Sequence, residues 1–420
     1  MHFKVVRFII VGVLFFWCAG SGQSAVLEVK EGVNAIVKVA PSGNATQFPD
    51  RLSPGTRVEQ IGEVSRYYEI RLSDGRTGWS YKGNFSVVSD GNITTPAIPT
   101  EITEQSLLAR SDVLRIIILD VEVGDATLII CPAENGVQDV LLIDTGENDG
   151  DRIKKELTDN GFSLSGKPIA RFFITHYDHD HFGDAPELIP YSEITYDHGD
   201  NNIKTTDDMR DYLEATREPG VDRRQMSLSY QEMFSGNVNV ECVAVNQATD
   251  FDPNISASSP DDNPNSIALL ISFDDFDYFT AGDLTFDPEK SLAKGIKNCD
   301  VYHVDHHGSS TTSSDEDFVK KLDPEVSVVS NGTRHGHPRK VVAERLIAIG
   351  SKHYQTNINT DSKAYQPNPK YVADDTYFYD DDMEDLEGAK GTIRIVVDPV
   401  ADKYFVLMQG LPINEATFNV

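Results

Sequence analysis

From residue 113 onward the chain alternates short apolar runs with amphipathic stretches. Leu114–Leu119, Ala126–Cys131, Val140–Ile143, Phe172–Ile174, Val238–Val245, Ile267–Phe273, Phe276–Thr280 and Val301–Val304 read as strands. Asp151–Asn160, stopping at Gly161, the stretch near Asp207–Glu214, Asp315–Leu322 and Val341–Ile349 carry helical spacing, and Thr392–Val397 and Tyr404–Met408 close the chain as strands. This order predicts an α/β layered domain over residues 113–420 with polar residues at its strand ends. Residues 25–90 differ. Ala35–Val39, Arg57–Ile61 and Tyr67–Leu72 are short β-rich runs between the turn signals Pro41–Asn44, Pro54–Gly55 and Asp74–Gly75, which predicts a small all-β module. Residues 91–112, rich in Ser, Thr, Pro and Gly at first, read as a linker with one helical turn at its end.

The first residues change the picture of where the protein works. Lys4 and Arg7 precede an apolar stretch, Phe8–Gly20, and the small residues of SGQSA follow. This pattern predicts a secretory signal peptide over residues 1–24, and hence a secreted or periplasmic protein. No later stretch is long and apolar enough for a membrane span, so no transmembrane domain is expected once the signal is removed. Beyond Cys18 only Cys131, Cys242 and Cys299 remain. Their spacing suits neither a disulfide framework nor a metal site, and each is expected to be a small buried hydrophobe.

Against 37 Lys and Arg stand 67 Asp and Glu, a formal net charge of -30. Such a surface repels phosphate backbones at long range and disfavours non-specific nucleic-acid binding, while leaving room for a local cleft that handles one phosphoester. The densest chemistry is Phe172–Asp184, reading FFITHYDHDHFGD. His176, Asp178, Asp180 and His181 follow H-x-D-x-D-H directly after an apolar strand. That spacing brings imidazole nitrogens and carboxylate oxygens from one tight loop onto one or two divalent ions. His179, at the variable position, is expected to point away, and His303 to be a packed strand residue.

Two resemblances organise the rest. SPGTRVEQIGE and YYEIRLSDGRTGWSYKGNF resemble a bacterial SH3 domain, which implies an SH3-like barrel and cell-wall peptide as a partner; Trp79, Tyr67 and Tyr68 are its candidate groove or core. LDVEVGDA, LLIDTG, the His176–His181 loop, DNPNS, TAGD, HHGSSTTSS and HGHP, in that order, resemble the metallo-β-lactamase fold hydrolases of the competence-protein (ComEC-like) subgroup. That resemblance implies an α/β fold of αββα sandwich type preceded by the small all-β barrel. It also implies two divalent ions, zinc first with manganese or iron as alternatives. His176 and Asp178 then look like ligands of a first ion, Asp180 and His181 of a second. Asp283 looks like the bridge, and either His307 or His306 the last ligand. Asp144 is expected to orient a ligand imidazole, His337 to donate to the leaving group or developing charge, and Asn265 and Ser266 to hold substrate. His198 is a further candidate ligand. Asp stands where the broad superfamily has His at Asp178, and Asn near Asn263 and Asn265 where it has a further His. This implies a more oxygen-rich first site.

The expected activity is metal-dependent hydrolysis, with metal-activated water at a binuclear site and Asp180 and His337 as catalytic groups. A small phosphoester, phosphodiester or polymer-linked substrate fits a carboxylate-rich pair of ions. Two alternatives carry different consequences. One is an extracellular nuclease, which needs a basic groove, for which Arg334, Arg339, Lys340 and Arg345 are the nearby cluster. The other is an inactive wall-binding platform, against which the complete loop ligand set argues. Glu122 in place of a family glycine and the acidic stretch 374–387 lie outside the resemblance.

Overall fold

The computed structural model describes residues 26–30, 35–38, 47–64, 66–72, 77–88, 102–121, 124–147, 150–200, 204–253, 261–332, 335–359, 361–373, 391–408 and 411–420. The signal-peptide stretch, the first half of the linker, Glu122, Arg334 and the acidic stretch 374–387 lie outside them. The chain divides into a unit ending at Glu101 and a unit from Ile102 to Val420. Among the described residues no helix is long and apolar enough to cross a membrane.

The first unit is all-β, a seven-stranded sheet in the order Gln47–Leu52, Ala35–Lys38, Thr77–Tyr81, Tyr67–Arg71, Arg57–Val64, Val26–Val29, Phe85–Val88. Leu27, Val29, Ala35, Val37, Val58, Ile70 and Phe85 form its core. Trp79 is half-buried, and so are Tyr67 and Tyr68.

The second unit is an αββα sandwich. One sheet runs Arg223–Gln225, Ser192–Asp197, Ile169–Phe173, Val140–Ile143, Thr127–Ile130, Leu114–Ile118, Ile393–Asp398, Lys403–Leu407, Thr417–Asn419. The other runs Gln231–Phe234, Val238–Val245, Ala268–Phe273, Phe276–Thr280, Val301–His303, Val326–Val329, Lys352–Gln355. The layers follow from the two-residue period of a strand. Leu141 and Ile143 enter the core between the sheets, while Val140 and Leu142 pack outward. Leu269 and Ile271 face inward in the same way, and Ala268 and Leu270 outward. Strands covered on both faces need apolar residues at every position, which is why they read as unbroken runs. The outer faces are capped by the helices Gly150–Asp159 and Asp207–Ala215 on one side and Phe286–Leu292, Glu316–Leu322 and Lys340–Ala348 on the other.

Predicted and observed elements agree to within three residues from Leu114 to Leu322, with omissions. Ser192–Asp197, Val326–Val329 and Lys352–Gln355 are strands that periodicity missed. Ser192–Asp197 and Lys352–Gln355 carry several polar residues, Val326–Val329 is a short buried VSVV run, and all three are held by parallel pairing to a neighbour. The helical turn Glu104–Leu108 buries Leu107 against Val113, Val396, Phe405 and Leu407, so this part of the predicted linker packs on the larger unit. Cys131, Cys242 and Cys299 are buried free thiols, as expected.

Candidate metal centre

Parallel strands of both sheets end on the same edge, and their C-terminal loops carry the polar residues. His176 follows the strand ending at Phe173, Asp144 the strand ending at Ile143, Asp283 the strand ending at Thr280, and Asp305–His307 the strand ending at His303. The ligand atoms of His176, His181 and Asp283 lie within 4.8 Å of one another, and so do those of Asp180, His181 and His307. His181 Nε2 is 3.2 Å from Asp283 Oδ1, and His307 Nε2 is 3.5 Å from the same oxygen and 3.7 Å from Asp180 Oδ2. His176 Nε2 is 3.8 Å from Asp178 Oδ2 and 3.9 Å from Asp283 Oδ2.

The tautomers follow from the bonds behind the rings. Asp144, fully buried with φ +56°, can only accept. It takes Thr175 N at 2.8 Å, the Thr175 hydroxyl at 2.6 Å and His181 Nδ1 at 2.9 Å. The Thr175 hydroxyl has thus spent its proton, so at 3.1 Å it accepts from His176 Nδ1. His307 Nδ1 donates to the Ser330 carbonyl at 3.0 Å. In its neutral form each of the three rings therefore turns a bare Nε2 inward. Those three nitrogens and Asp283 Oδ1 are buried with no hydrogen-bond partner among the described residues. Lone pairs gathered around a buried carboxylate need positive charge among them, so the residues present fit a divalent cation.

The electrostatics agree. Burial presses His176 well below the ordinary histidine value. Burial also opposes charge on His181, but Asp283 and Asp144 outweigh it and raise that ring well above. Asp283, despite burial, is held well below the usual carboxylate range by His306, His181 and His307. Binding a cation at His181 must displace a proton, so affinity falls with acidity.

The remaining expectations divide. His306 Nε2 lies 3.2 Å from Asp283 Oδ2 with Thr312 Oγ1 at 2.9 Å from its Nδ1, while His307 is the ring that converges with Asp180 and His181. His179 is turned outward toward Glu147 and Asp208. His303 is packed, its ring between the Tyr278 and Ser330 hydroxyls at 3.1 and 2.9 Å. His337 lies with its ring centroid 5.9 Å from that of His306. Burial and the nearby His307 push it down to about 3, so at neutral pH it can give a hydrogen bond but carries no extra proton.

Two candidates need correction. His198 does not join the cluster. It is buried under Tyr177 with Nε2 at 3.1 Å from Asp262, which also accepts Tyr177 N at 2.6 Å. Asn265 is not presented to a substrate. It is fully buried, its amide nitrogen on Asp262 and its oxygen within reach of Gln247, at 3.1 and 3.3 Å. Ser266 beside it is fully buried as well. The structure brings two unforeseen residues, Asp125 and Lys204, to the site instead, together with Asn263. Asp125 places Oδ1 3.5 Å from His303 Nε2 and 3.6 Å from His307 Nδ1. Lys204 pairs with Asp178. Asn263, turned with its amide nitrogen toward the carboxylates, donates to Asp178 Oδ2 at 3.0 Å. The GDA of the quoted motif was the one signal for Asp125; Lys204 carried none.

The Asp144 contacts make one prediction. An Asp144→Asn variant offers one acceptor to three donors, and its amide nitrogen opposite His181 favours the tautomer with a proton on Nε2. Metal affinity is expected to fall by roughly 10–100-fold with the fold retained, checked by chelator-competition titration beside thermal melting.

An αββα sandwich with histidines and aspartates gathered at one sheet edge defines the class of the protein. The profile of the Metallo-beta-lactamase superfamily matches residues 119–332, over half of the chain, and the chain belongs to that superfamily. It is similar to "ComE operon protein 3" of Bacillus subtilis, 26% identical over 253 residues, covering 54% of this chain and 30% of that protein. It is also similar to "Recombination protein 2" of Haemophilus influenzae, 27% identical over 238 residues, covering 54% of this chain and 26% of that protein. The chain thus spans under a third of the length of these curated relatives. Among solved structures it is similar to the metallo-beta-lactamase fold protein YhfI from Bacillus subtilis, 12% identical with a TM-score of 0.38, covering 57% of this chain and 95% of that one.

Proposed function

We propose that this chain is a secreted metal-dependent hydrolase of a phosphodiester or phosphoester, zinc being the first choice of ion and manganese or iron the alternatives. The observation that carries the reading is the set of four buried, inward-facing atoms without a hydrogen-bond partner among the described residues: His176 Nε2, His181 Nε2, His307 Nε2 and Asp283 Oδ1. His176 and Asp178 would hold one ion, Asp180, His181 and His307 the other, with Asp283 between them. Two ions there supply a lowered pKa for water and neutralise charge that builds on phosphoryl oxygens.

The chain's own residues do the rest. Asp144, through Thr175 and His181, keeps both ring nitrogens aimed inward. Asp180, only partly buried at the mouth, is placed to take the proton of the attacking water. His337, neutral at working pH, hydrogen-bonds the charge that develops on the leaving oxygen. A small phosphoester is favoured over duplex DNA by the acidic surface and by the state of the nearby cations. Arg345 donates to the Ser314 carbonyl, and Lys340 lies 3.6 Å from Glu344. The apolar, basic-headed N-terminal sequence supports export, and the DGRTGW sequence, together with the all-β unit that holds the strand Thr77–Tyr81, supports an SH3-like module for wall peptide.

The test is metal content of the purified protein beside a His181→Ala variant, followed by turnover of a chromogenic phosphodiester. Bound ions and turnover, both lost in the variant, are expected. Failure of any divalent ion to bind under any loading would overturn the reading. Metal without phosphoester turnover would overturn the substrate class.

A further inference from the structure

We propose that Lys204 is a built-in cation at the first ion position, competing with a metal ion for Asp178 and making the two ion sites unequal. This rests on the metal-dependent hydrolase reading above. The starting point is that the two halves of the cluster are not built alike. Around the second position the ligand atoms of Asp180, His181 and His307 converge among themselves. Asp283 Oδ1 stands 3.2 Å from one ring and 3.5 Å from the other. Around the first position His176 and Asp283 converge only with His181, which the second position shares, and Asp178 is in no such group among the described residues.

The reason lies in what already satisfies Asp178. One of its oxygens is held by the Lys204 ammonium. The other receives the Asn263 amide at 3.0 Å. A carboxylate with a cation on one oxygen and a hydrogen-bond donor on the other is neutralised and hydrogen-bonded without any metal. Asn263, a neutral amide, also offers a weaker ligand than an imidazole. An ion entering beside His176 must therefore break the Lys204–Asp178 pair and turn the amide. The Lys204 side chain is 37% exposed, so its ammonium can return to water when displaced. The arrangement is competition rather than exclusion. The second position, with no lysine against its carboxylates among the described residues, fills first.

The test uses the full chain stripped of metal and titrated with manganese or zinc, reading ions per chain against free metal by mass spectrometry and calorimetry. The wild type is expected to take one ion at low free metal and the second only at about tenfold or more higher concentration. A Lys204→Met variant removes the competing charge and is expected to bring the second uptake down by about tenfold, leaving the first unchanged. Lys204→Arg keeps the charge and is expected to behave like the wild type. Two equal uptakes in the wild type, or identical titrations of wild type and Lys204→Met, would overturn the proposal while leaving the hydrolase reading standing. No uptake by any form would overturn both. Because Lys204 is part-exposed, all three proteins are expected to melt alike without metal, which separates a lost site from a lost fold.

Discussion

Asp283→Asn is expected to abolish phosphoester turnover and to lower metal affinity by more than about 100-fold, beyond the 10–100-fold cost of losing an orienting partner. The change keeps the shape of the side chain and removes its charge. Asp283 is the one carboxylate within reach of His176, His181, His306 and His307, at 3.9, 3.2, 3.2 and 3.5 Å. Its two oxygens face different halves of the cluster, so an amide at that position removes the negative charge shared by both halves and leaves a ligand oxygen for only one of them. The sandwich itself does not depend on that charge, because its layers are joined by apolar residues of both sheets. The expected result is a folded protein with a normal thermal transition and little bound metal. Ion content by mass spectrometry, measured beside turnover of the same preparation, checks it. A variant that keeps both ions and loses only turnover would show Asp283 acting on substrate rather than on metal.

How much of this was legible in the sequence depends on whether a feature is local. His176 to His181 was legible because one loop carries the whole spacing and follows an apolar strand. Asp144, Asp283 and the histidine pair at residues 306 and 307 lie far apart in the chain and became candidates only through the ordered motifs that resemble a known family. The strand ends that bring them together are a property of the two sheets, not of any window of sequence. His303 and His179 were separable by alternation and position. His198 and Asn265 were misplaced for a shared reason: each turns a side-chain nitrogen to Asp262, which is fully buried, and not to the cluster. Burial opposes charge on Asp262, but the hydrogen bond with His198, the nearby His176 and the Tyr177 amide outweigh it and hold the carboxyl down to about 2. Lys204, 26 positions beyond Asp178, had no spacing rule to reveal it. Its significance exists only where the loop before the helix Asp207–Ala215 returns to the metal-type loop.

Gly124→Ala is expected to cost about 3 kcal/mol of stability or more, from roughly 1–3 kcal/mol of backbone strain and roughly 1–3 kcal/mol of overpacking. Gly124 has φ +103°, a conformation that a side chain resists. A Cβ built there would overlap the Asp180 carbonyl oxygen. That carbonyl accepts from Asp125 N at 3.2 Å, Gly146 N donates to the Asp125 carbonyl at 2.9 Å, and Thr145 N donates to the His181 carbonyl at 2.8 Å. These three bonds tie the loop before Thr127, the loop after Ile143 and the His176–His181 loop into one piece. The clash is with backbone and not with the end of a flexible side chain, so nothing local can yield cheaply. Relief requires moving Asp180, and with it the carboxylate facing His307. Stability and metal affinity should therefore fall together, in denaturant unfolding and in metal titration of the same variant. Gly161→Ala is the control: φ is +88° there too, but nothing lies within 4 Å of the added carbon. It should carry the strain alone and leave metal binding unchanged. Equal losses of affinity in the two variants would mean that close approach at Gly124 does not position Asp180.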